Sequence, residues 1–150
     1  MRKVQIAPSI LSADFSNLES EVRSIEKAGA DMLHIDVMDG HFVNNITFGP
    51  SLISSIRDKT ELPFDVHLMI DPVKKYITDF INAGADIITI HEEINEEIFE
   101  SFDIIKKSNK QVGISIKPNT PVIIDGTVVR IPSGSQVSSH NFPGNKSESI

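Results

Sequence analysis

Apolar residues in this chain alternate between short dense runs and longer segments where they recur every three or four positions. The dense runs at residues 4–11, 32–38, 64–70, 87–91 and 111–116 read as strands. Between them, Leu18, Val22 and Ile25 give residues 15–28 helical spacing, and Leu52, Ile53 and Ile56 mark a short helix over 50–58. Further helices are predicted over 73–83, just past Asp71-Pro72, and over about 95–108. Strands alternating with helices predict a parallel sheet of βαβ units, an α/β fold. Two segments nearly repeat, EKAGADMLHID at 26–36 and INAGADIITIH at 81–91, each a helix end, a glycine stop and an apolar strand. Gly29 and Gly84 are placed to terminate helices in the left-handed conformation.

After Thr120-Pro121 the pattern breaks. One short apolar run is followed by an end rich in Ser, Gly, Pro and Asn, in which no amphipathic helix and no further βα unit can be read. Residues 1–122 are therefore expected to form one structural unit, and 123–150 a divergent, flexible tail.

Composition narrows the function classes. A chain of 150 residues, 39% hydrophobic, is large enough for one domain with a real core. No run approaches the ~20 apolar residues of a membrane span, and Pro8, Ser12 and Asp14 interrupt the only N-terminal stretch that resembles a signal peptide. No membrane partner is expected. Without cysteine there are no disulfides or thiolate metal sites, which fits a reducing, cytoplasmic setting. The net charge of −7, with no basic cluster interleaved with aromatics, argues against nucleic acid as a partner. It leaves room for a small phosphorylated substrate, which a few backbone N–H groups can hold.

Two of the strands carry unexpected polar groups. In HIDVMDGHFV (34–43), side chains at alternate positions share a face, so His34, Asp36 and Met38 line one side and Ile35 and Val37 the other. His67 and Met69 likewise share a face in FDVHLMIDP. Successive parallel strands are usually neighbours, so two imidazoles and a carboxylate could converge, a set that suits Zn²⁺, Fe²⁺ or Mn²⁺. The competing reading makes each histidine a hydrogen-bonded core residue, and spacing alone leaves both open. Asp39, Gly40 and His41 read as a turn. His91, beside Glu92 and Glu93, is a weaker candidate for the same cavity and reads rather as a structural or supporting group. The acidic run over 92–100 reads as a solvated helix face. Met38 and Met69 are core filler or a mobile wall of the site. Ser9 either orients a substrate oxygen or bonds its local backbone.

IAPSILSADF (6–15), GADMLHIDVMDGHFVNNITFGP (29–50), DVHLMI (65–70) and GISIKPNTP (113–121) together resemble the ribulose-phosphate 3-epimerase family of (β/α)₈ TIM barrels. The resemblance runs over about residues 4–122, with Asn44 departing from a proline usual in the family. It implies the first five βα units of such a barrel and an irregular C-terminal tail. It also implies that His34, Asp36 and His67 are metal ligands for a divalent cation (Zn²⁺, Fe²⁺, Mn²⁺ or Co²⁺). Asp36 would be one of two acid/base carboxylates. Ser9 and His67 would contact substrate, and Met38 and Met69 would flank its reacting carbon. The implied reaction interconverts D-ribulose 5-phosphate and D-xylulose 5-phosphate, in the pentose phosphate pathway, by proton transfer at C3 through an enediolate.

The family's second carboxylate, in a Val-Asp-Gly-Gly segment, its Asn-Pro-Gly-Phe-Gly-like loop and its Gly-rich phosphate loops are not found after residue 122. A complete barrel needs ~200 residues or more. The expectation is a truncated, frameshifted or alternatively spliced form, weakly active or inactive, whose open sheet edges favour a homo-oligomer. The alternatives are a non-catalytic barrel fragment or interaction module, or another sugar-phosphate barrel lyase such as a metal-dependent aldolase or a decarboxylase.

Overall fold

Four of the five expected strands pair side by side in one parallel sheet, in the order β1 (Leu33–Met38), β2 (Phe64–Met69), β3 (Ile87–His91) and β4 (Gln111–Ser115). The structure, a computed structural model, describes residues 4–94, 98–118, 120–124 and 127–129. Helices α1 (Leu18–Lys27), α2 (Pro50–Arg57), α3 (Ile77–Asn82) and α4 (Ile98–Lys107) alternate with the strands. The alternation of side chains along β1 buries Leu33, Ile35 and Val37 and leaves His34, Asp36 and Met38 half-buried. The buried set joins Val22, Ile53, Ile77, Phe80 and Ile105 from the helices and Phe64, Val66, Leu68, Ile88 and Ile90 from the central strands. That apolar layer holds the helices to one face of the sheet. The opposite face carries the polar side chains.

The strand expected over 4–11 is only partly formed. The Ile6 carbonyl accepts from the N–H groups of Asp31 and Met32, the Pro8 carbonyl accepts from His34, and Ser9 makes a single bridge to His34. The chain then turns into a 3₁₀ segment, Ile10–Ser12, with the Ser9 hydroxyl oxygen accepting the Leu11 N–H. The ladder stays incomplete because Pro8 has no N–H to give and the Asp31 carboxylate takes the N–H of Ile6. Two helices also start later than their apolar spacing suggests. Residues 15–17 form a 3₁₀ turn capped by the Asp14 carboxylate, and Tyr76 bonds back to Val73 before α3 begins.

Both halves of the sequence repeat end as predicted, with Gly29 at φ 87° and Gly84 at φ 107°. Gly84 serves a second purpose: a Cβ there would lie 2.5 Å from Cδ of Arg57. Arg57 stacks 3.7 Å over the Phe64 ring, donates to the carbonyls of Thr60 and Leu62, and pairs with Asp86. This packing ties the N-terminal ends of the central strands together, leaving their C-terminal ends to carry other chemistry.

Gly113 in β4 faces Thr89 in β3 so closely that an added Cβ would meet the Thr89 Oγ1 at 2.2 Å and its Cβ at 3.0 Å. Gly113→Ala is expected to lower stability by about 1–3 kcal/mol, since the facing strand cannot retreat without disturbing the ladder. A shift of the urea midpoint at unchanged slope would show it.

Beyond the parallel sheet, β5 (Val122–Ile124) and β6 (Thr127–Val129) pair antiparallel. The remainder of the expected tail, 125–126 and 130–150, lies outside the described residues. No helix among the described residues is long and apolar enough to cross a membrane.

Candidate metal centre

The in-register pairing of β1 and β2 sets His34 beside Asp65, Asp36 beside His67 and Met38 beside Met69. These six residues share the polar face of the sheet, which is why three ligand-type side chains meet. Oδ1 of Asp36 lies 3.1 Å from Nε2 of His34 and 3.4 Å from Nδ1 of His67. One ligand atom from each of His34, Asp36 and His67 lies within 4.8 Å of the other two. The other carboxylate oxygen, Oδ2, accepts a 2.6 Å hydrogen bond from the Ser9 hydroxyl. The residues expected to act as ligands thus share one point, with Ser9 at its edge.

The ring of His34 is held from behind, its Nδ1 lying 2.8 Å from Oδ2 of Asp65. A carboxylate there keeps a proton on Nδ1 and turns the Nε2 lone pair toward Asp36, the arrangement commonly found behind metal-bound histidines. Asp65 is itself buried, with the Thr89 hydroxyl nearby. Two ring nitrogens and one carboxylate oxygen converging in this way suit a divalent transition-metal cation.

The charges of the metal-free site fit the same picture. Burial alone would lower the pKa of His34, but its bonds to Asp36 and Asp65 outweigh that and push it up to about 9. Burial would raise Asp36, and the hydrogen bonds from His34 and Ser9, with the charge of His34 beside it, instead hold it well below the usual carboxylate range. Without metal, a proton on His34 Nε2 therefore occupies the place a cation would take.

The pH dependence follows. His34 has a folded-state pKa above its ordinary 6.5, so its stabilising contribution is fully present below pH 6.5 and is lost as pH rises through about 9. Thermal melts of the metal-free chain are expected to show a falling midpoint over that window. Affinity for a cation held at this point would move the opposite way, rising about tenfold per pH unit toward pH 9 as the competing proton leaves. Titrating both over the same pH range checks the sign.

Met38 is half-buried and Met69 nearly buried, side by side at the ends of β1 and β2. Asn45 donates to the Met38 sulfur, while Thr47 bonds the backbone on both sides of it, at Asp36 O and Met38 N. Asp39, Gly40 and His41 form the expected turn. Asp39 accepts from the N–H groups of His41 and Phe42, and its second oxygen accepts from Asp71 after β2. His41 is exposed.

His91 lies deeper than its sequence position suggests. Its Nε2 is 2.9 Å from Nε2 of His67, with the two rings stacked 5.0 Å apart, and its Nδ1 is 3.0 Å from Glu93. Burial and the neighbouring His67 lower its pKa. Glu93 departs from the solvated helix face expected of the acidic run. It sits in a turn after β3, where its carboxylate bonds His91, the Lys117 N–H and the Thr120 hydroxyl. Burial would raise Glu93, but the bonds from Thr120, Lys117 and His91 together lower it. Glu92 is exposed, and 95–97 lie outside the described residues. The sequence pattern does not single out Asp65, and it marks Glu93 only as a neighbour of His91 and a member of the acidic run. Asp65 lies two residues before His67 on the same face, but only the register of β1 and β2 sets it beside His34.

Comparison with known proteins decides the family. The model of the Ribulose-phosphate 3 epimerase family matches residues 5–131. The chain belongs to this family. It is 49% identical over 119 residues to a ribulose-phosphate 3-epimerase of Bacillus subtilis, covering 79% of this chain and 55% of that protein. It is 47% identical over 120 residues to that of Rhodobacter capsulatus, covering 80% and 53%. It is likewise 47% identical over 121 residues to that of Treponema pallidum, covering 81% and 56%. The chain therefore spans about half the length of the curated relatives it matches. The parallel sheet with alternating helices agrees with the barrel architecture expected of the family.

Proposed function

We propose that this chain carries the metal-binding, proton-abstracting side of an epimerase centre acting on D-ribulose 5-phosphate and D-xylulose 5-phosphate. The observation that carries the reading is the convergence of His34 Nε2, Asp36 Oδ1 and His67 Nδ1, with Ser9 on the remaining carboxylate oxygen. Those three residues would hold a divalent cation, with Zn²⁺, Fe²⁺, Mn²⁺ and Co²⁺ all compatible with the donors. Such a cation, when bound, supplies Lewis acidity that stabilises negative charge on the substrate's oxygens.

The residues of the chain do the rest. Oδ1 of Asp36 is committed to the ligand point, so Oδ2 is the oxygen left to take the C3 proton. The pair of electrons from the C3–H bond moves into an enediolate, and the Asp36 carboxylate becomes a carboxylic acid. Ser9, donating to Oδ2 beforehand, can turn its hydroxyl to accept once that oxygen is protonated. Met38 and Met69 supply an apolar, polarisable wall beside the reacting carbon and keep water from it. Inversion at C3 needs a second acid on the other face of the substrate, and among the described residues the metal-capable cluster contains one carboxylate, Asp36.

Exchange in D₂O tests this. Ribulose 5-phosphate incubated with the Co²⁺- or Mn²⁺-loaded chain is expected to gain deuterium at C3, and chelation is expected to stop the gain. Label is expected to enter ribulose 5-phosphate faster than xylulose 5-phosphate forms, because one face has its base. Deuterium uptake no faster than with the metal ion alone would overturn the proposal.

A further inference from the structure

The buried chain behind His67 has a direction. Glu93 Oε1 already accepts the Lys117 N–H at 2.6 Å and the Thr120 hydroxyl, so Oε2 is the atom that meets His91 Nδ1. An ionised carboxylate oxygen only accepts, which requires the proton of His91 to sit on Nδ1. Nε2 of a neutral His91 is then a lone pair, and the atom it faces at 2.9 Å is Nε2 of His67. Two lone pairs at that distance repel, so His67 carries a proton on Nε2. When the His67 ring is neutral, this leaves its Nδ1 bare, 3.4 Å from Oδ1 of Asp36. The reverse arrangement would press the unprotonated Nδ1 of His91 against the Glu93 carboxylate.

We propose that Glu93, acting through His91, is a positioning residue that fixes the tautomer of His67 and turns its Nδ1 lone pair onto the cation-binding point. The inference deepens the metal reading and rests on it only for its consequence. The tautomer itself is a property of the metal-free chain. It also gives the two histidine ligands matching support, Asp65 behind His34 and Glu93, one imidazole further away, behind His67. Because Lys117 and Thr120 follow β4, the relay links the loop at the C-terminal end of that strand to a ligand on β2.

Glu93→Gln makes a sharp test because it is isosteric. The Lys117 N–H still demands an acceptor, so the amide oxygen takes the Oε1 position and the NH₂ group faces His91 Nδ1. The whole chain of donors should then invert. Long-range ¹H–¹⁵N correlation spectra of the metal-free, histidine-labelled 150-residue chain in mildly alkaline solution read the tautomers directly. In the unaltered protein, His67 is expected to show a bare Nδ1 and a protonated Nε2, and His91 the opposite. In Glu93→Gln both assignments are expected to exchange, and Co²⁺ affinity to fall by about 10–100-fold, the usual cost of losing a ligand's supporting partner.

His91→Phe keeps the stacked ring but removes both nitrogens. It is expected to move the His67 proton to Nδ1, where Asp36 accepts it. A purely structural Glu93 would leave both tautomers as they are in the isosteric variant. That result, or a proton on Nδ1 of His67 in the unaltered chain, overturns the inference. If the tautomers behave as stated but no Co²⁺ binds, the relay stands and the metal reading fails.

Discussion

Asp36→Asn is expected to slow deuterium exchange at C3 by about 10³-fold, the middle of the range for removing a positioned general base. The substitution preserves shape, but an amide cannot take a proton from carbon. It also places an NH₂ group where either the ligand point or the Ser9 hydroxyl requires an acceptor. The same change removes one of the two carboxylates that raise His34, so the His34 titration should move down from about 9 toward its ordinary value. The two effects have separate readouts, a mass shift in the substrate and an imidazole chemical shift. Exchange that survives in Asp36→Asn would place the base elsewhere.

The second large effect concerns the ligands. His34→Ala deletes a donor nitrogen outright and is expected to weaken Co²⁺ binding by more than the about 10–100-fold that loss of a supporting partner costs. Asp65→Asn should fall within that smaller range. Its amide still reaches Nδ1 of His34, 2.8 Å from the carboxylate in the unaltered chain, but no longer with a negative charge. The order His34→Ala well below Asp65→Asn, and that below the unaltered chain, separates a ligand from the group that orients it. Equal losses would mean that His34 is a core residue whose removal only disturbs packing. Calorimetric titration of each variant, with a thermal melt to confirm folding, measures the order.

Much of this arrangement was legible in the sequence because parallel strands impose simple rules. The period of two along 34–38 placed His34, Asp36 and Met38 together, and the likelihood that consecutive strands pair brought His67 and Met69 alongside them. The glycine stops at Gly29 and Gly84 marked helix ends that the structure reproduces. Other features depended on information no local pattern contains. The expected N-terminal strand is reduced to a single bridge at Ser9, because its hydrogen bonding depends on Pro8 and on the Asp31 carboxylate, which takes the N–H of Ile6 from 25 residues away. Glu93 looked like one more member of an acidic helix face, since its partners Lys117 and Thr120 arrive from beyond β4. Asp65 required knowing that β1 and β2 pair with no offset, which sets it opposite His34. Tertiary register, rather than periodicity, distinguishes these residues from their neighbours.

His34, Asp36 and His67 are expected to bind one cation together. Titrating the metal-free chain with Co²⁺ and following its visible d–d bands would answer this. A single site per chain is expected, with a spectrum showing mixed nitrogen and oxygen ligation, affinity that rises toward pH 9, and loss of the bands in His34→Ala and His67→Ala. No saturable Co²⁺ uptake, or uptake unchanged in both variants, would show that these residues do not form a cation site.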